Sequence, residues 1–231
     1  MTLKQTLAAL KKAGTAQNRK IYGRHGVTGA MCGVSYAELK KLTKAIGTDH
    51  ELARGLWASG NHDARVLACM VADPAALKSG EIDAWARAMD NYVLTDAFCG
   101  LIAQSRFGRS KCDAWMKRRD EWYRAAGWNL LSILADSDDS LTDAYLAERT
   151  AAIVTDIHGS PNRARHSMNQ ALIAIGIRND KLRKRALAAA KKIGKVEVDH
   201  GQTSCQTPDA SAYIAKVLDY RRKKAEKKAA K

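Results

Sequence analysis

The chain has 231 residues, 46% of them hydrophobic and 27% charged, and its 39 Lys plus Arg exceed 24 Asp plus Glu for a formal charge of +15. That is enough apolar material to bury a core, in one elongated domain or two small ones, and the charge favours a polyanionic partner. No run approaches the ~20 continuous apolar residues of a bilayer span, which excludes an integral membrane protein of that kind.

In chain order, the opening MTLKQTLAALKKAG has a basic amphipathic rhythm without the apolar core of a signal peptide, and predicts a short helix over residues 2–12. Residues 23–33 hold four glycines and read as a loop; their spacing matches neither GxGxxG nor GxxxxGK[ST], so no phosphate-binding fingerprint is present. Ser35 stands three before Glu38, a capping-box spacing, and Leu39, Leu42 and Ile46 then supply a helical stripe that ends at Gly47. Further helices are predicted at 50–57, 61–71, 80–89, 92–103, 112–117, 120–135, 140–157, 161–176 and 180–193, with NHDAR at residues 61–65 read as a helix start. Pro161 after Ser160 and Pro208 after Thr207 sit where proline begins helices.

Residues 196–210 break the helical rhythm. Asp199, His200 and Cys205 are chemically capable metal ligands, but two or three polar groups in one loop do not make a coordination sphere, and the segment is read as closing the C-terminal end of the helices. No metal and no organic cofactor is expected. The five cysteines, Cys32, Cys69, Cys99, Cys112 and Cys205, lie far apart without CxxC spacing, which argues for a reducing compartment, hence the cytoplasm, and the nucleoid if the cell is bacterial.

Residues 221–231, RRKKAEKKAAK, carry seven basic side chains and Glu226, a net +6 that leaves +9 on the preceding 220 residues. The body is therefore basic in its own right. With no alternating strand runs, the expected fold is all-α: amphipathic helices that cannot bury their apolar faces singly and so stack as an array. The expected organisation is a single helical-repeat domain over residues 1–220 and a flexible basic tail over 221–231.

Several stretches carry a family resemblance. CGVSYAELKKLTKAI at 32–46, ELARGLWASGNHDARVLACMVADP at 51–74, then DNYVLTDAFCG, EWYRAAGWNLL and MNQALIAIGIRN resemble DNA alkylation repair proteins built from HEAT-like repeats, similar to the AlkD-type DNA glycosylases, across roughly residues 22–192. The resemblance implies a curved HEAT-like helical-repeat superhelix that recognises double-stranded DNA containing alkylated purines. It also implies hydrolytic release of N3- or N7-alkylpurines without a metal or cofactor.

It further implies site residues. Asp96 matches the family's acidic residue on the DNA-facing surface and Tyr92 the aromatic four positions before it, where the glycosylases usually carry tryptophan; i and i+4 place the two side chains one above the other on a helix. Asp96 would stabilise positive charge on the sugar as a cationic base departs. Arg124 matches an arginine suited to holding a phosphate through parallel hydrogen bonds, with Trp128 one turn beyond. Arg118, Arg163 and Asn169 complete the expected DNA contacts. Ala174 stands where the glycosylases commonly carry a second tryptophan, which opens the alternative of a noncatalytic helical-repeat scaffold binding nucleic acid or an acidic protein.

Overall fold

Short polar side chains punctuate the chain and set where most of its helices begin. The computed structural model describes residues 1–229, and its elements are thirteen α-helices. They divide into two compact units, Met1–Ser110 with His200–Ser204, and Lys111–Asp199 with the chain from Cys205 onward.

In the first unit Thr2 forms a capping box with Gln5 at the start of α1 (Leu3–Ala13), and Thr15 accepts from the Asn18 amide to open α2 (Ala16–Arg24). Ser35 caps α3 (Tyr36–Ile46) through the Glu38 amide, as its spacing predicts, and Asp49 and Asn61 cap α4 (His50–Ala58) and α5 (His62–Val71). Each such cap contributes about 1 kcal/mol. After α6 (Ser79–Ala86), Asn91 caps α7 (Tyr92–Ile102); in α8 (Gly108–Trp115), residues from Lys111 onward already belong to the second unit. The centre of this unit is α5, which packs on α1, α3, α4 and α7 and buries eight of its ten residues. Beside it Trp57 and Trp85 stack at 4.4 Å with Phe98 tilted against both.

The second unit is organised on α11 (Asn162–Arg178), which packs on α9 (Glu121–Ser137), α10 (Asp143–Asp156), α12 (Asp180–Ile193) and α13 (Ala210–Ala229). Small residues let the backbones close in. A Cβ on Gly127 would stand 2.3 Å from the Met116 nitrogen, and one on Gly176 would meet Ile214 at 2.5 Å. Arg178 works structurally here: its guanidinium donates to the carbonyls of Ala135, Asp138 and Leu141, satisfying the C-terminal turn of α9 and the loop beyond it.

The sequence misplaces a few boundaries. The glycine-rich loop begins at His25, because α2 occupies residues 16–24, and Pro161 sits one position before α11 instead of at its first turn. The basic run expected as a tail continues α13 through Ala229, each of residues 221–229 being exposed; Ala230 and Lys231 lie outside the described residues. Among the described residues no helix is long and apolar enough to cross a membrane.

Candidate functional site

On the first unit, α7 presents the expected acidic and aromatic pair. Leu94, Thr95, Phe98, Cys99, Leu101 and Ile102 bury the opposite side, leaving Asp96 exposed and Tyr92 half-buried one turn before it. Tyr36, 43% exposed at the start of α3, lies within electrostatic reach of Asp96: partial burial and then the Asp96 carboxylate push its phenol up. The Tyr92 hydroxyl shares a hydrogen bond with His25 Nδ1, their rings edge-on at 5.6 Å.

The loop that follows His25 is held by an arrangement the sequence did not reveal. Asp63, 1% exposed at the start of α5, accepts from the backbone amides of Cys32 at 2.6 Å, Gly33 at 3.0 Å and Val34 at 2.7 Å. His62 adds its own amide to the Ala30 carbonyl at 2.8 Å, and the Tyr22 hydroxyl donates to the Val34 carbonyl. Gly33 has φ +79°, and a Cβ there would lie 2.6 Å from the Thr15 carbonyl oxygen, so only glycine suits that turn. The helix start read in NHDAR is present, and its acid clamps the loop that follows His25.

On the second unit, Arg124 is 18% exposed and gives Nη2 to Asp156 Oδ2 at 3.1 Å. It lines a cleft of about 230 Å³ with Asp113, Lys117, Trp128, Arg149 and Asp156. Arg149 donates to Asp113 Oδ1 at 3.4 Å and lies 4.3 Å over the Tyr145 ring, while the Tyr145 hydroxyl donates to the same Asp113 oxygen at 2.6 Å. Burial first, and then the hydrogen bond to Asp113, push the Tyr145 phenol up, so it remains a protonated donor.

The remaining expected residues scatter. Trp128 is 2% exposed, so it forms the cleft's wall and not an open stacking platform. Asn169 is 1% exposed and donates to the Pro208 carbonyl at 2.9 Å, a tie between α11 and the segment before α13. Arg118 is exposed with its guanidinium 4.8 Å above Tyr123, and Arg163 is half-buried with its backbone amide on Glu121 Oε1 at 2.7 Å. Ala174 is 7% exposed within α11. Sequence reasoning missed Arg149, whose one available signal was Tyr145 four residues earlier on the same helix face. Among the described residues no group of three His, Cys, Asp or Glu side chains is placed to hold a metal.

These positions can be set beside known proteins. The pattern of the DNA alkylation repair enzyme family matches residues 3–214. The chain belongs to that family. Two uncharacterized proteins, from Listeria innocua and Listeria monocytogenes, are each 29% identical to this member over 216 residues, spanning 91% of this chain and 93% of theirs. A solved structure matches with a TM-score of 0.88 at 29% identity over 96% of both chains; it is described as a new family of proteins related to the HEAT-like repeat DNA glycosylases with affinity for branched DNA structures. The all-α, HEAT-like-repeat fold expected from the sequence is thereby shown for this family member.

Proposed function

We propose that this family member binds DNA through its phosphate backbone and favours branched or otherwise distorted DNA. The carrying observation is the cleft on the second unit, where Lys117, Arg124 and Arg149 converge and the two arginines are held by carboxylates in fixed orientations. Pre-oriented guanidinium groups suit phosphate oxygens, and phosphate contacts position a protein without reading sequence. The affinity of the structural relative for branched DNA supports the same reading. Such work would take place in the cytoplasm, at the nucleoid in a bacterial cell. Fluorescence anisotropy with a four-way junction, a matched duplex and an N7-methylguanine duplex tests it. Salt-sensitive binding with preference for the junction is expected, and equal, weak binding to all three refutes the preference.

A second reading, alkylpurine release, is favoured by one specific observation: Asp96 stays exposed beside Tyr36 and one turn from Tyr92. A cationic alkylated base leaves a sugar of positive character, and an exposed carboxylate could stabilise it or orient the attacking water. Tyr92 in place of tryptophan and a buried methyl group at Ala174 leave less flat surface for the lesion. Single-turnover release from N3-methyladenine and N7-methylguanine duplexes decides it. Release that Asp96→Asn abolishes while binding persists establishes the enzyme; no release by the wild-type protein leaves the binder alone.

A further inference from the structure

The cleft on the second unit holds more donors than its carboxylates use. Arg124 spends Nη2 on Asp156, and Arg149 spends Nη2 on Asp113, whose oxygen also takes the Tyr145 hydroxyl. Of the two guanidinium groups, that of Arg124 is thus anchored by one corner and that of Arg149 by Nη2, with its Nη1 also 3.7 Å from the Glu148 carboxylate. Their Nε atoms, and the indole Nε1 of Trp128, are sealed from solvent, and none of the three has an acceptor among the described residues. Trp128 is 2% exposed and lines the cleft with the two arginines.

A buried N–H without an acceptor is costly, and more so on a charged group; the Nε atoms of Arg165 and Arg183 are sealed in the same way, but here three such N–H groups belong to residues that line one cleft. The cleft's roughly 230 Å³ has room for several groups the size of a water molecule, at about 30 Å³ each. Within the cleft lining, Lys117, Arg124 and Arg149 bring three positive charges against the two carboxylates of Asp113 and Asp156, both already engaged; a third carboxylate, Glu148, lies 3.7 Å from Arg149 Nη1 but is 71% exposed and outside the lining. The surplus fits one anion rich in acceptor oxygens. A tetrahedral phosphate offers oxygens in several directions, as dispersed donors require, whereas a carboxylate offers two in one plane.

We propose that this cleft is a phosphate receptor in which Arg149 and the Trp128 indole N–H bind the oxyanion together with Arg124. The inference deepens the DNA-binding reading and rests on it for its source, a backbone phosphate; free orthophosphate carries the same chemistry and serves as the probe.

The test uses the full chain. Orthophosphate is titrated calorimetrically at constant ionic strength against a chloride control, and junction binding is measured in the same buffer without phosphate. Trp128→Phe keeps a ring in the wall and removes the N–H; Arg149→Met keeps most of the stem and removes the guanidinium. Saturable one-site phosphate binding is expected, weakened about five- to tenfold by Trp128→Phe and more by Arg149→Met, with junction affinity falling in parallel. If Arg149→Met does not fold by circular dichroism, Trp128→Phe carries the test.

Absence of saturable phosphate binding, or binding that both folded variants leave unchanged, overturns the receptor; junction binding that persists in them leaves the proposed function standing. Phosphate binding weakened by the variants in a protein that binds no DNA keeps the receptor, assigns it to free phosphate and removes the DNA reading.

Discussion

Replacing Asp63 by Ala removes the acceptor for three backbone amides at once, those of Cys32, Gly33 and Val34, at 2.6, 3.0 and 2.7 Å. A hydrogen bond to a charged group contributes about 1.5–3 kcal/mol, and leaving a buried donor unmet costs about as much. The three share one carboxylate and are not additive, and Cys32 is close enough to the surface to recover water. A loss of about 3–5 kcal/mol is therefore expected. For a chain of this length each kcal/mol lowers the melting temperature by roughly 2–4 °C, so the variant should melt about 10 °C or more below the wild type. Urea unfolding supplies the free energy, and hydrogen exchange reads the protection of amides 32–34, which should fall selectively. Because the clamped loop follows His25, and His25 bonds the Tyr92 hydroxyl, the same variant should also loosen Tyr92. A loss below about 1 kcal/mol with those amides still protected would refute the clamp.

Gly127→Ala places a Cβ 2.3 Å from the Met116 nitrogen and should destabilise by about 2–3 kcal/mol or more, whereas Gly100→Ala, on α7 with nothing within 4 Å, should stabilise by about 0.5–1 kcal/mol; urea midpoints of opposite sign are the check. Burial, then Asp63 and Tyr36, push the Tyr22 phenol up to about 12 from an unfolded value near 10. The folded state then keeps a proton that the unfolded state loses, so this contribution is full below pH 10 and lost as pH rises to 12. Tyr36 and Tyr145 shift the same way, so Tyr22→Phe should flatten, without abolishing, the fall of the urea midpoint between pH 10 and 12. Ending the chain after Tyr220 removes a stretch exposed at 221–229 whose Arg221 pairs with Asp136 at 2.7 Å on the surface, so melting should change by no more than a few degrees. The slope of log DNA affinity against log salt should become shallower by about 0.9 for each phosphate the run neutralises, about two in total or more, and an unchanged slope would show that the run does not touch DNA.

Capping and periodicity act over three or four residues, and what they control was legible in the chain. Ser35 before Glu38 and Asn61 before an apolar run locate α3 and α5, and the apolar side of α7 leaves Asp96 outward. The family stretches carried the rest of the fold. α2 escaped because it buries no residue and so shows no stripe. Burial was not legible: Trp128 and Asn169 look like surface side chains on a basic helical face, but α9 and α11 pack on each other, so Trp128 forms a cleft wall and Asn169 ties α11 to the Pro208 carbonyl. The carboxylate of Asp63 meets amides 29 to 31 residues upstream, and Arg149 meets Asp113 36 residues away. Local propensity carries no information at that range. Helix positions follow from neighbours along the chain, while which polar groups end up buried, paired or left with a spare donor follows from the packing of distant helices, and tertiary structure alone decides it.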